Sequence, residues 1–434
     1  MKTWLGLTSI VAVVACGADP GAVGPLNDGS PGAGGKGAGA GGSVAAGAGG
    51  TPSAGAGGSA GTGGAAAGAS GAAAASGAAG PGGAGGAGVG GGSGAAGSGG
   101  AVCDPATVVA SVSGLAVSAV DLNGWAPYAI DGCRLLYVAA PEAGATNGAL
   151  RLRTLPAGEE IEIAPAAESP RRPTLRGDVL AWETATSAAS PQVRAKVGGG
   201  LATTLSGPFD HAGEPRAGDA GVAFTAWLTP DDLGDTDVYL LDPKTGAVSA
   251  LATGPAQQRW ADVSADTIAW SDFLEDPDGR YDNNEFDVCD VVLYDVAKTT
   301  RTAYPKIGKQ GYPMVGSKGH VVYLDWPPDH PEPKNQEFRI RSWAYGDGSD
   351  MEIAHVLHFD SFYARPATRG GLVVWVSGST DDHLTFGPVD GSPSTTVAVT
   401  ASSLRAPAFA DGFVVVAGFD PAATSPKLRV ALSP

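Results

Sequence analysis

The chain has 434 residues, 68 of them glycine, and a net charge of −17, an acidity that argues against nucleic acid as a partner. Of those glycines, 36 fall in the 85 positions from Gly17 to Ala101, a stretch with no aromatic residue and no apolar periodicity, which excludes a packed core there. The remaining block, Val102–Pro434, has 333 residues and carries a charge of −17 on its own, enough chain for one large repeat domain or two ordinary ones.

The chain opens with Lys2, an apolar run from Trp4 to Ala15, and Cys16 preceded by Val13, Val14 and Ala15. The run is too short to span a bilayer and reads as a leader. A small residue followed by cysteine at its end resembles the lipobox of bacterial lipoproteins, with Val13 in place of the usual leucine. That resemblance implies a signal peptide over residues 1–15, lipidation of Cys16, and an anchored segment over 16–101. Gly17, where an inner-membrane lipoprotein carries aspartate, implies the outer membrane, on its periplasmic or cell-surface face. An ordinary cleaved leader with an incidental cysteine is the alternative. The Gly/Ala/Ser segment is then a tether with a root-mean-square span of roughly 50 Å as a flexible coil.

From Val102 onward one phrase returns seven times: proline, several residues, a glycine turn, a β-branched run and an aromatic. The copies are Pro127 with Gly132 and Tyr137, Pro173 with Gly177 and Trp182, and Pro215 with Gly221 and Trp227. The fourth, Ala261–Trp270, lacks the proline. Pro313 with Gly319 and Tyr323, Pro366 with Gly371 and Trp375, and Pro407 with Gly412 and Val416 complete the set. The anchors are separated by 45, 45, 43, 53, 52 and 41 residues, the spacing of propeller blades. Each phrase holds two period-two strands, and a second pair follows, as in Asp237–Asp242 with Ala247–Ala252. Four strands per unit follows.

The last unit has three strands before the chain stops, whereas Thr107–Val117, ahead of the first phrase, is strand-like with no partner of its own. Placing that segment as the outer strand of the seventh blade closes the ring and removes an exposed edge. The sequence therefore predicts an all-β protein, a β-propeller of seven four-stranded blades over 102–434 closed by an N-terminal strand, with six blades and a merged unit as the rival. These phrases resemble the TolB-like group of periplasmic and surface β-propellers, whose units pair a Pro/Gly/Trp phrase with a strand of the Asp-Val-Tyr-Leu type. The group's usual Ser-Pro-Asp-Gly turn is replaced here, for example by Arg176, Gly177 and Asp178. No separate N-terminal TolB domain fits before Val102. The resemblance thus speaks for shared architecture more than for shared function.

Six anchors, Tyr137, Trp182, Trp227, Trp270, Tyr323 and Trp375, are expected to fill the gaps between blades. Arginines recur where inner strands begin, at Arg172, Arg259, Arg365 and Arg405, and would converge on one mouth of the central channel, where guanidinium forks could hold carboxylates. The plain alternative is that each pairs with a local acid. Trp125, Trp260 and Tyr312, at similar positions, could add stacking surface. The loop after Trp270 offers oxygen ligands at Asp276, Asp278, Asp282, Glu285 and Asp287, a set suited to calcium, although Arg280 and Tyr281 break the EF-hand pattern. A solvated acidic loop is the other reading. Six histidines are scattered without a zinc-binding phrase. With Cys16 taken by lipid, Cys103 and Cys133 are the expected disulfide, a staple at the ring's seam, leaving Cys289 as a buried thiol.

These readings lead to a membrane-anchored, non-enzymatic propeller that binds an envelope protein or peptide at the channel mouth, with no resident cofactor unless calcium. A carbohydrate-binding or lyase-like propeller acting on an acidic glycan is the alternative, and a structural surface protein the third. Dispersed histidines favour binding over catalysis.

Overall fold

A computed structural model describes residues 103–119, 125–156, 158–185, 191–200, 203–204, 209–227, 235–276, 279, 288–304, 308–317, 319–326, 337–357, 365–377, 383–399, 402–419 and 425–434. The expected leader, Cys16 and the tether lie outside the described residues, as do Asp278, Asp282, Glu285 and Asp287.

The strands form seven separate antiparallel sheets, each built from consecutive strands, six with four strands and the last with three. This is a seven-bladed propeller, and the six-bladed rival is set aside. The inner strands run Tyr128–Asp131, Pro170–Arg176, His211–Gly218, Gln258–Val263, Lys309–Ser317, Ala367–Arg369 and Ser402–Ala410. Each turns at the Gly or Asp of the repeat phrase into the second strand, so Asp131 opposes Arg134 and Ala410 opposes Phe413. Gly177 and Gly412 occupy these turns with φ of +50° and +85°, where a side chain would be strained.

The apolar core lies between blades. Seven clusters of buried residues each straddle one gap: Leu136, Val138 and Trp182 join the first two blades, and Tyr128, Tyr137 and Phe413 join the seventh to the first. Ala223 packs with Trp270 between the third and fourth, and Val322 with Trp375 between the fifth and sixth. The repeated aromatic is therefore the wedge that holds twisted sheets apart and buries their faces. Trp227 is the exception: half-buried, it stacks on His211 with ring centroids 3.6 Å apart.

The closing segment differs from expectation in its first half. Pro105–Val112 is a helix, capped by the Asp104 side chain on the Ala106 N–H with proline at the start. Only after it does the chain extend. The Gly114 N–H donates to the Leu428 carbonyl at 2.9 Å, the Leu428 N–H returns a bond to Leu115, and Ala116 pairs with Lys427. On its other side this stretch meets the first blade, where the Ser118 N–H reaches the Val138 carbonyl at 3.0 Å. Closure thus comes from the N-terminal segment as expected, over fewer residues. The β-branched residues that suggested a long strand, Val108 and Val112, instead bury one helix face. Cys103 and Cys133 are joined in a disulfide, Cα to Cα 5.4 Å, and Cys289 is a buried thiol.

Candidate functional site

Seven inner strands line a central bore with a cavity of about 250 Å3. The repeat phrase sets what lines it. In five blades the residue before the proline position, Arg172, Glu214, Trp260, Tyr312 and Ala406, has φ between +46° and +56°. At each of these points the pairing with the second strand slips. These are bulges, which unpair a residue and re-aim its side chain.

The bulges build a charged and aromatic layer at one end of the bore. Trp125, 4% exposed, stands at its centre: guanidinium carbons of Arg172, Arg216 and Arg365 lie 5.0, 4.5 and 5.4 Å from its ring centroid. Trp260, 2% exposed, stacks on Tyr312 at 4.0 Å and meets Phe273 edge-on. Two of the predicted arginines are engaged by acids. Arg172 Nη1 donates to Glu183 Oε2 at 3.3 Å and lies 3.8 Å from Glu214 Oε1, while Arg259 Nη2 donates to Glu214 Oε1 at 2.9 Å. Glu214 Oε2 also accepts from the Thr225 hydroxyl and the Trp260 N–H. Gly213 lets Glu183 approach: a Cβ there would stand 2.8 Å from Glu183 Oε2. His211, beside this group, is pushed down to about 3 by burial and by the charges of Arg172 and Arg259, and stays neutral.

Arg365 is different. It is 9% exposed, its Nη2 donates to the carbonyls of Pro313 and Trp260 at 3.0 and 3.4 Å, and its Nε and Nη1 have no hydrogen-bond partner among the described residues. Arg216, half-buried against the bore, has an unsatisfied Nε and no ion pair among the described residues. Burial depresses both guanidiniums, and Arg365 lowers Arg216 further. Asp262 also lines the bore, its Oδ2 accepting the Val315 N–H at 2.8 Å.

Four residues further along the same strands the bore reaches the turns. There Arg176 grips Asp219 through two bonds of 3.0 and 2.9 Å, and Arg369 grips Asp411 through bonds of 2.6 and 3.0 Å. Asp131 accepts from Arg369 Nη1 at 2.9 Å and lies 3.8 Å from Arg176, tying the first, second and sixth blades together. The arginines hold Asp219 and Asp411 below the usual carboxylate range.

The structure thus brings Arg172, Arg259, Arg365, Trp125, Trp260 and Tyr312 into one cluster. Arg405 lies in the inner strand of the seventh blade opposite Ala417, where its carbonyl accepts from the Tyr128 hydroxyl. Glu214 and Arg216 were not singled out from the sequence. They flank Pro215 at the repeat position of Arg172 and two beyond it, so aligning the seven phrases column by column would have found them. In the acidic loop, Asp276 Oδ2 accepts the Val288 N–H at 2.8 Å, an anchor for the loop's return. Among the described residues no group of three or more His, Cys, Asp or Glu is placed to hold a metal.

No family model and no curated protein matches the chain. Solved structures do. The β-propeller domain of the trilobed protease from Pyrococcus furiosus is 11% identical, TM-score 0.52, with 73% of this chain and 93% of that one covered. An oligogalacturonate lyase in complex with manganese is 13% identical, TM-score 0.50, covering 70% and 86%. The TolB of Acinetobacter baumannii, 13% identical with a TM-score of 0.42, is matched over 62% of this chain and 64% of its own. The chain is a β-propeller. At these identities the likeness carries the architecture alone.

Proposed function

We propose that this protein is a lipid-anchored, non-enzymatic β-propeller of the bacterial cell envelope, tethered through Cys16 to the outer membrane, whose central bore binds a protein or peptide partner. The observation that carries this reading is the basic bore itself, in which Arg216 and Arg365 face the lumen without a carboxylate of their own. Fixed guanidinium forks favour planar carboxylates. Of the described histidines, His211 stacks on Trp227 in the third blade and His320 lies 3.0 Å from the Ser342 hydroxyl in the fifth, contacts suited to packing.

The test is an in-cell crosslink and pull-down of the full chain beside an Arg216→Met/Arg365→Met variant. Capture of a partner by the wild type and its loss from the variant supports the reading; equal capture moves the contact surface off the bore. A second reading, an acidic glycan, draws on the same two guanidiniums. Arginine-dependent binding of oligogalacturonate, with no protein captured, would favour it. Loss of a palmitate label in Cys16→Ala tests the anchor.

A further inference from the structure

Among the described residues the bore stops at Trp125, on whose ring arginines of the second, third and sixth blades converge. Its lining begins at Arg216 and Arg365, next to Trp125, and runs to Arg176 and Arg369 at the turns, while Trp125, Trp260 and Tyr312 lie outside it. Entry is then from the turn face, past the pairs that Asp131 makes with Arg176 and Arg369. That is the side opposite the inner-strand starts on which the sequence placed the mouth.

We propose that the base of this bore receives a single carboxylate at the C-terminal end of a peptide chain, held between Arg216 and Arg365. The proposal deepens the ligand reading above and rests on it for the source of the peptide. Three observations carry it. Arg365 is nine-tenths buried, yet its Nε and Nη1 are aimed at no acceptor, and a buried guanidinium without a counterion is disfavoured until a ligand supplies one. Arg216, contacting the same Trp125 ring, likewise has no ion pair among the described residues, whereas Arg172 and Arg259 in the same layer are neutralised by Glu183 and Glu214. The acid that lines the bore beside these two arginines is Asp262. Two guanidiniums against one carboxylate leave room for one further negative charge, which selects a carboxylate over a phosphate dianion. Because the bore ends at Trp125, a chain entering from the turns meets these donors with its end and not its middle. The walls it would pass mix small residues, among them Ala217, Gly316 and Ala408, with Leu175, Val315 and the ion-paired Arg176 and Arg369.

The experiment is calorimetric titration of the full-length protein with acetate, inorganic phosphate, and the tripeptide Ala-Ala-Ala as free acid and as C-terminal amide. The acid is expected to bind, the amide roughly tenfold or more weakly, and acetate to compete with the acid better than phosphate does. Arg216→Met and Arg365→Met should each weaken the acid by roughly tenfold or more and leave the amide unchanged. Arg216→Met breaks no hydrogen bond among the described residues and loses only the contact on Trp125, so its melting temperature beside wild type separates lost binding from lost folding. Equal binding of acid and amide, full affinity in folded Arg216→Met, or stronger competition by phosphate would overturn the proposal. Acetate bound without the peptide acid would overturn the chain-end claim. Equal affinities for acid and amide beside arginine-dependent partner capture would sink this inference and leave the binding reading standing. Acid-selective binding with no partner captured would do the reverse.

Discussion

Arg172 and Arg176, like Arg365 and Arg369, stand four residues apart in the repeat, one at each end of the bore, and the two ends treat charge in opposite ways. At the turns every arginine is matched by a neighbour's aspartate, in contact with water, with Asp411 side chain 76% exposed. Around Trp125 the charges are buried, Glu214 serves two guanidiniums, and Arg365 is served by carbonyls alone. The same residue type is thus a surface clasp at one end and part of a buried charged layer at the other. Solvent decides which, because water screens the first set and is withheld from the second.

That contrast can be broken at its strongest point. Glu214→Ala removes the buried carboxylate that Arg259 donates to and that lies 3.8 Å from Arg172, and is expected to cost about 3–5 kcal/mol, read from urea unfolding. A loss below about 1 kcal/mol would mean that the two ends are energetically alike. Next in size is a pH effect. His211 binds a proton less readily folded than unfolded, so its contribution is complete above about 6.5 and is lost as pH falls toward about 3. Thermal unfolding across that window should show a downward slope of at most about 1.4 kcal/mol per pH unit from this group, flattened in His211→Gln. The smallest effect belongs to the turns: Asp411→Asn should change stability by less than about 1 kcal/mol, and the difference should fade in high salt.

The fold was legible because a propeller repeats its constraints. Seven prolines or their replacements, seven turns and seven anchors leave a count that survives errors in any one copy. The Pro105–Val112 helix was missed because valine is frequent in strands, although Asp104 followed by Pro105 is a helix start. The site was half legible. Arginine at the start of inner strands is visible in one dimension, but whether it meets an acid depends on which blade's bulge faces it. Glu214, two blades from Trp125 in the sequence order, could not be assigned to Arg172 or Arg259 without the ring. Nor could the sequence tell an aromatic at the rim from one that closes the bore, since Trp125 and Trp260 have the same chemistry in either place.

The Cys103–Cys133 bond has a mechanical consequence. Any pull arriving through the residues before Cys103 is passed covalently to the turn between the first two strands of the first blade. The helix and the few hydrogen bonds from Gly114 to Val117 that close the ring lie inside the 30-residue loop and are shielded from that load. Force on the chain ahead of Cys103 would then reach the first blade without unzipping the domain at its seam.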